Sequence, residues 1–254
     1  MNIKTFSIPA IAAAMISFAS CGDNSAENSG SADTTSTAAA DTTAAAKSNE
    51  WVSLFDGKTF AGWHGFNKGT DSIKNWMIED SSLVCLGAAK DAHGGDIVSD
   101  KSFGNFELEW DWKVTKGANS GVMYHVIEDK KYQAPYETGP EYQVIDDKDF
   151  PEKLEDWQKA GADYAIKAAN DKKKVNPVGQ WNSSRLIYNN GHVEHWLNGE
   201  KIVEFDRSSD DWKKMRATGK WKDYPDYGKA DSGPIALQDH GNKVYFKNIR
   251  IKEL

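Results

Sequence analysis

The chain has 254 residues, of which 39% are hydrophobic, so it can bury one sizeable core. Its formal net charge of -7 argues against a nucleic-acid partner. Aromatic residues are plentiful, with 10 Trp, 9 Tyr and 10 Phe, enough to fill a core and leave rings for a sugar-stacking surface.

The N-terminus reads as an address. Lys4 supplies a short positive region, and Ile8 to Ala19 is apolar but short for a spanning helix. The stretch ends in Phe18-Ala19-Ser20-Cys21, which resembles a bacterial lipoprotein cleavage site. Residues 1–20 are therefore expected to be removed, with Cys21 carrying the lipid. The membrane is then a partner through that lipid, at the cell envelope, in the periplasm or on the outer-membrane surface. Residues 21–50 are low in complexity, rich in Ser, Thr and Ala, and lack apolar periodicity, as suits a disordered tether. With Cys21 acylated, Cys85 has no partner for an intrachain disulfide and is expected as a small buried hydrophobe.

The folded domain is expected over 51–254. NWMIEDSSLVCLG reads as a hairpin turning at Glu79 to Ser82. FELEWDWKV alternates strictly: Phe106, Leu108, Trp110, Trp112 and Val114 face one way, and the charged residues between them face the other. That predicts a half-buried antiparallel strand. Lys116 to Asp147 reads as two strands, Ser120–Glu128 and Glu141–Asp146, joined by a long loop. Glu141 and Gln143, two residues apart, share a face, and His125 sits within an apolar run. Buried polar groups of this kind are costly unless paired or used, so they are candidate site residues.

One helix is expected, Glu152–Asn170, interrupted at Gly161, within a long excursion from the sheet. Three strands near 181–188, 192–197 and 201–205 follow, joined at Asn190-Gly191 and Asn198-Gly199, the strongest short-range hairpin signals. His195 shares a face with Val193 and Leu197, more in keeping with a satisfied core histidine than a catalyst. Arg207 to Asp231 reads as an aromatic-rich loop. Two last strands flank Asp239 to Asn242, the second alternating Val244, Phe246, Asn248 against Tyr245, Lys247, Ile249. Many short strands and little helix predict an all-β sandwich of jelly-roll type, whose face can hold an oligosaccharide.

WVSLFDGKTFAGWH, NSGVMYH, GPEYQVIDD, QWNSSRLIYNNGHVEHWLNG and GPIALQDHGNKVYFKNIRIKEL, in this order, resemble the 3-keto-disaccharide hydrolase family across 51–254. The resemblance implies a concanavalin-like jelly roll and cleavage of glycosides already oxidised at C3, by hydrolysis or lysis. This chain has His125 and Lys247 at positions where the family often has arginine. A C3 carbonyl acidifies the C2 proton, so the reaction needs a base, a group to stabilise the enolate, and an acid for the leaving oxygen. Glu141 or His125 is the candidate base, and His240 the candidate acid. Gln143, Arg185, His195, Lys247 and Asp239 are candidate substrate-binding residues. A divalent metal on His125, His195, Glu141 and His240 would suit an enolate, although no compact ligand spacing appears. The alternative from another class is a noncatalytic surface carbohydrate-binding module.

Overall fold

The alternating apolar pattern is realised as strands throughout a computed structural model that describes residues 50–69, 73–87 and 95–254. The strands are β1 (Val52–Ser53), β2 (Trp63–Gly65), β3 (Trp76–Glu79), β4 (Ser82–Leu86), β5 (Ile97–Phe103), β6 (Phe106–Val114) and β7 (Asn119–Met123), then β8 (Glu141–Ile145), β9 (Asn182–Asn189), β10 (His192–Leu197), β11 (Glu200–Asp206), β12 (Gly233–Leu237) and β13 (Lys243–Glu253). They form two antiparallel sheets. One runs β11-β10-β9-β6-β13-β4-β3, with β1 also on β13; the other runs β2-β5-β12-β7-β8. The result is the expected all-β jelly-roll sandwich. Contacts divide the chain into units 1–44 and 45–254, and the described residues belong to the second. The expected signal peptide, the lipid on Cys21 and the tether up to residue 49 lie outside the described residues.

The core between the sheets follows from parity. Phe106, Leu108, Trp110 and Trp112 of β6 meet Val122 of β7, Tyr142 and Val144 of β8, and Leu237 of β12. Trp110 and Tyr142 pack edge to face at 4.9 Å. Cys85 is free and buried in the same core, as its apolar run implies. Three hairpins close through two-residue turns with positive φ at both positions: Asp80-Ser81 (48°, 55°), Asn190-Gly191 (50°, 91°) and Asn198-Gly199 (49°, 88°). That backbone matches the strand twist, which is why the sequence carries Asn-Gly at two of them.

The structure corrects several expectations. Glu152–Asn170 forms no α-helix; only Asp156–Gln158 makes a short 3-10 turn. Gly161 (φ 82°) and Ala165 (φ 60°) leave the helical region, and the segment instead pairs with the edge of the five-stranded sheet. Gly161 N donates to Gln143 O at 2.8 Å and Tyr164 N to Glu141 O at 3.0 Å. The α-helix lies at Asp210–Thr218 (α1), capped by Ser209 Oγ and acidic in its first turn. The first central strand stops at Met123, because His125 has φ 55°. In β13 a register shift between Lys247 and Arg250, with Asn248 at φ 53°, moves Ile249 and Ile251 to the core face.

Candidate active site

β8 presents Tyr142 and Val144 to the core and therefore Glu141 and Gln143 to the outer face of the five-stranded sheet. On that face Glu141 neighbours Met123 and Gly121 of β7, and Met123 neighbours Ala236 of β12 and, beyond it, Val98 of β5. Phe66, Val98, Met123, Val126, Tyr132 and Ala236 form a small second apolar cluster there. Glu141 is only 4% exposed. Its surroundings are completed by residues far away in sequence. Tyr136 comes from the 127–139 loop, Tyr164 from the excursion, and Lys220, Trp221 and Tyr224 from the turn after α1. The Lys220 ammonium lies 4.4 Å from the Tyr164 ring centroid, 4.7 Å from that of Trp221 and 5.6 Å from that of Tyr136. Tyr136 and Tyr224 meet edge to face at 5.9 Å.

Burial dominates the electrostatics. It pushes the Glu141 carboxyl well above the usual carboxylate range; the Lys220 ammonium opposes this, and the Asp96 and Asp163 carboxylates add to it. Burial likewise pulls the Lys220 ammonium down, and Glu141 opposes that. The buried Glu141 carboxyl, biased by the nearby Lys220 charge, is suited to taking up a proton near neutral pH. Asp96, just before β5, is pushed up to about 7 by burial, partly offset by the Asp239 N–H, which donates to its Oδ1 at 2.7 Å. Asp163 is also raised to about 7 by burial, and its Oδ2 accepts from Trp212 Nε1 at 3.2 Å.

The residues expected from sequence do not all meet here. Gln143 is buried beside Glu141, but its amide is committed: Nε2 donates to Gln158 O at 3.1 Å and Oε1 accepts from Val144 N at 3.0 Å. It holds the excursion in place. Asp239 and His240 leave the five-stranded sheet just after β12. Asp239 is buried, bonded to Asn75 Nδ2 at 3.2 Å and Gly241 N at 3.0 Å, while His240 is exposed.

His125 is fully enclosed, so a base role for it has no route to substrate. Its Nε2–H donates to Gly104 O at 2.9 Å, its Nδ1 accepts from Arg207 at 3.2 Å, and the Tyr188 ring packs on it at 4.3 Å. Burial takes its pKa to about 4, so it is neutral. His195 is equally enclosed, donates from Nδ1 to Gly161 O at 2.9 Å, and is lowered to about 4 by burial. It secures the excursion from the core side rather than contacting substrate. Arg185 and Lys247 lie on the outer face of the eight-stranded sheet, across the sandwich from Glu141. Arg185 pairs with Glu107 at 2.6 Å, and Lys247 sits 4.0 Å from the Trp181 ring centroid.

Among the described residues, His125, His195, Glu141 and His240 do not converge as metal ligands. Among the described residues, the group that brings three ligand atoms together is His192, Glu194 and Glu204, on a surface hairpin. There Lys201 Nζ already sits 3.3 Å from Glu194 and 2.8 Å from Glu204. Sequence reasoning missed Lys220, Asp96 and Asp163. A lysine beside Trp221 within an aromatic-rich loop was the available signal for Lys220.

Fold and site together define a glycoside-cleaving β-sandwich enzyme, with a buried carboxyl, Glu141, on the outer face of one sheet and the Lys220 ammonium in its electrostatic reach. The chain belongs to the 3-keto-alpha-glucoside-1,2-lyase-like domain family, whose model matches residues 50–252. A 3-keto-disaccharide hydrolase of Bacteroides thetaiotaomicron is 35% identical over 80% of this chain and 78% of its own. A crystal structure of a protein from Parabacteroides distasonis, assigned as a glycosyl hydrolase, is 50% identical with a TM-score of 0.75. It covers 80% of this chain and 94% of its own. A second such structure from that organism is 29% identical, with a TM-score of 0.62, covering 81% of this chain and all of its own (100%).

Proposed function

We propose that the chain cleaves 3-keto-glycosides or 3-keto-disaccharides at the site around Glu141. In this reading the Glu141 carboxylate removes the C2 proton, and the Lys220 ammonium stabilises the negative charge developing on the C3 oxygen. The enolate electrons form the C1–C2 double bond as the C1–O bond breaks, and the leaving oxygen takes a proton. His240, exposed at the end of the five-stranded sheet, is the candidate donor. Water then adds at C1 and a proton returns to C2, so the balance is one glycoside plus one water to 3-keto-sugar plus free alcohol. Without the water step, the product is the enone.

The observation that carries this reading is a buried carboxyl, Glu141, under the electrostatic influence of the Lys220 ammonium, which itself lies among three aromatic rings, on a chain of this family. One carboxylate base with a cation beside it suits an elimination, whereas ordinary glycosidases set two carboxyls across the scissile bond. The test incubates the protein with a 3-keto-disaccharide and its unoxidised parent in D2O, with and without chelator, and follows products by NMR and mass spectrometry. Cleavage of the oxidised sugar alone, with deuterium at C2, supports it. Cleavage without C2 exchange, or equal cleavage of the parent, overturns it. The reading extends to the envelope: residues 1–20 direct export and Cys21 anchors the domain. Labelled palmitate incorporation that survives Cys21→Ser would sink that part.

A further inference from the structure

On the face of the sandwich away from Glu141, one row of residues crosses four neighbouring strands. Trp196 of β10 pairs with Arg185 of β9, Arg185 with Glu109 of β6, and Glu109 with Arg250 of β13. Three strand spacings give this row a length of about 14 Å. It floors a groove of about 790 Å³, with Trp51 and Trp196 as aromatic walls at either end. That volume falls in the range of small-molecule sites.

The polar groups in the groove are held in place. Arg250 Nε donates to Glu109 at 2.8 Å, and its guanidinium lies 4.7 Å from the Trp51 ring centroid. The Arg185 guanidinium lies 5.3 Å from the Trp196 ring centroid. Asp111 accepts from Asn248 Nδ2 at 2.6 Å, and Asn248 is the residue that the β13 irregularity places on this face. The lining holds two guanidinium groups, Arg185 and Arg250, and two carboxylates, Glu109 and Asp111, so it has no net charge to recruit an ion. It offers fixed donors and acceptors between two indoles. A flexible polyol with apolar C–H faces matches that pattern: rings stack on the indoles and hydroxyls meet the charged groups.

We propose that this groove binds a neutral oligosaccharide of two to three sugar units, separately from the cleavage site. The ligand class rests on the glycoside reading above; the groove itself does not. Such a site would hold the enzyme on a glycan chain while the opposite face acts on oxidised sugars.

The test titrates the full chain carrying Glu141→Gln with maltotetraose, cellotetraose and tetragalacturonate by calorimetry. Saturable binding of a neutral tetrasaccharide is expected, with tetragalacturonate weaker by about ten-fold or more, since rows of paired charges favour neutral partners. Trp51→Ala and Trp196→Ala should each weaken the neutral ligand by about ten-fold, and Trp196→Phe should recover most of it. Should Trp196→Ala fail to fold, Trp51→Ala, at the edge beside β1, decides. Absence of binding by both neutral sugars, binding untouched by removal of either indole, or full competition by a saturating 3-keto-disaccharide overturns the proposal. Tryptophan-dependent binding in a wild-type protein that cleaves nothing would leave the groove standing and remove the catalytic reading instead.

Discussion

The Glu141 carboxyl lies directly over Gly121 on the neighbouring strand: a Cβ at 121 would come within 2.1 Å of Glu141 Oε1. Gly121 is thus the space in which the carboxyl sits. Gly121→Ala leaves the backbone free of clashes but crowds Glu141 Oε1, Cδ and Cγ, so it should fold while pushing Glu141 out of position. The expected result is a fall in kcat/KM of about a hundred-fold, since an ångström of misplacement costs that much. Circular dichroism and melting should stay close to wild type. Unchanged activity would mean that Glu141 need not occupy this place.

The Glu141–Lys220 pair predicts a pH profile. Burial raises the Glu141 carboxyl, so the ionised base accumulates only as pH rises through that raised value, and kcat/KM should climb with it. Lys220 lowers the Glu141 pKa, so Lys220→Met should move the acid limb to higher pH as well as slow the reaction. A slower variant with an unmoved limb would place Lys220 outside the electrostatics of the base.

Asp163 predicts a stability slope of definite sign. Burial raises it from an ordinary 3.8 to about 7, and its Oδ1 is buried without a partner. Between those values the native state keeps a proton that the unfolded chain releases. Stability from this group is therefore complete at low pH and is lost as pH rises toward 7. Denaturant unfolding should show Asp163→Asn reducing the pH 5 to pH 7 loss by about 2 kcal/mol. A variant with the wild-type slope would show that Asp163 is already ionised in the native state.

His64 is gripped from both sides, with Nδ1 2.7 Å from Asp100 and Nε2 3.0 Å from Glu128. Only the imidazolium donates from both nitrogens. Burial opposes the charge, but the two carboxylates outweigh it and raise the pKa above 6.5. This stabilisation is fully present below pH 6.5 and fades as pH rises through the native value. Glu128 also accepts from Asn67 N at 2.9 Å, so the clasp fastens the start of the loop that carries Tyr136. Limited proteolysis within 127–139 should accelerate above neutral pH in the wild type, whereas His64→Gln should be cut quickly at every pH. Equal rates across pH in the wild type would show that the clasp does not depend on charge.

The strands could be read from the sequence wherever one face alternates and a turn residue ends the run. FELEWDWKV became β6 without a change of boundary, and both Asn-Gly pairs became the turns expected of them. The shared face of Glu141 and Gln143 was legible for the same reason. What burial did with those side chains was not. Gln143 is consumed by backbone partners, Gln158 in the excursion and its own neighbour Val144, and His125 by Gly104 and Arg207, both distant in sequence. Lys220 comes under the electrostatic influence of Glu141 through tertiary placement that no local pattern encodes. The misplaced helix has a plain cause: 152–170 has helical composition, but its backbone hydrogen bonds satisfy the edge of β8, whereas Asp210–Thr218 has a proper cap and kept its helix.

An interior strand of the larger sheet is β13, which pairs with β6, β4 and β1, elements more than a hundred residues earlier. Until Lys243–Glu253 is available, β6 and β4 have no common neighbour, and the aromatic face of β6 has only part of its cover. Completion of the larger sheet therefore waits on a long-range closure made by Lys243–Glu253, a kind of pairing that is intrinsically slow. During synthesis the earlier strands wait with unpaired edges, and the time between the emergence of β6 and that of β13 is when this protein is most open to misassociation.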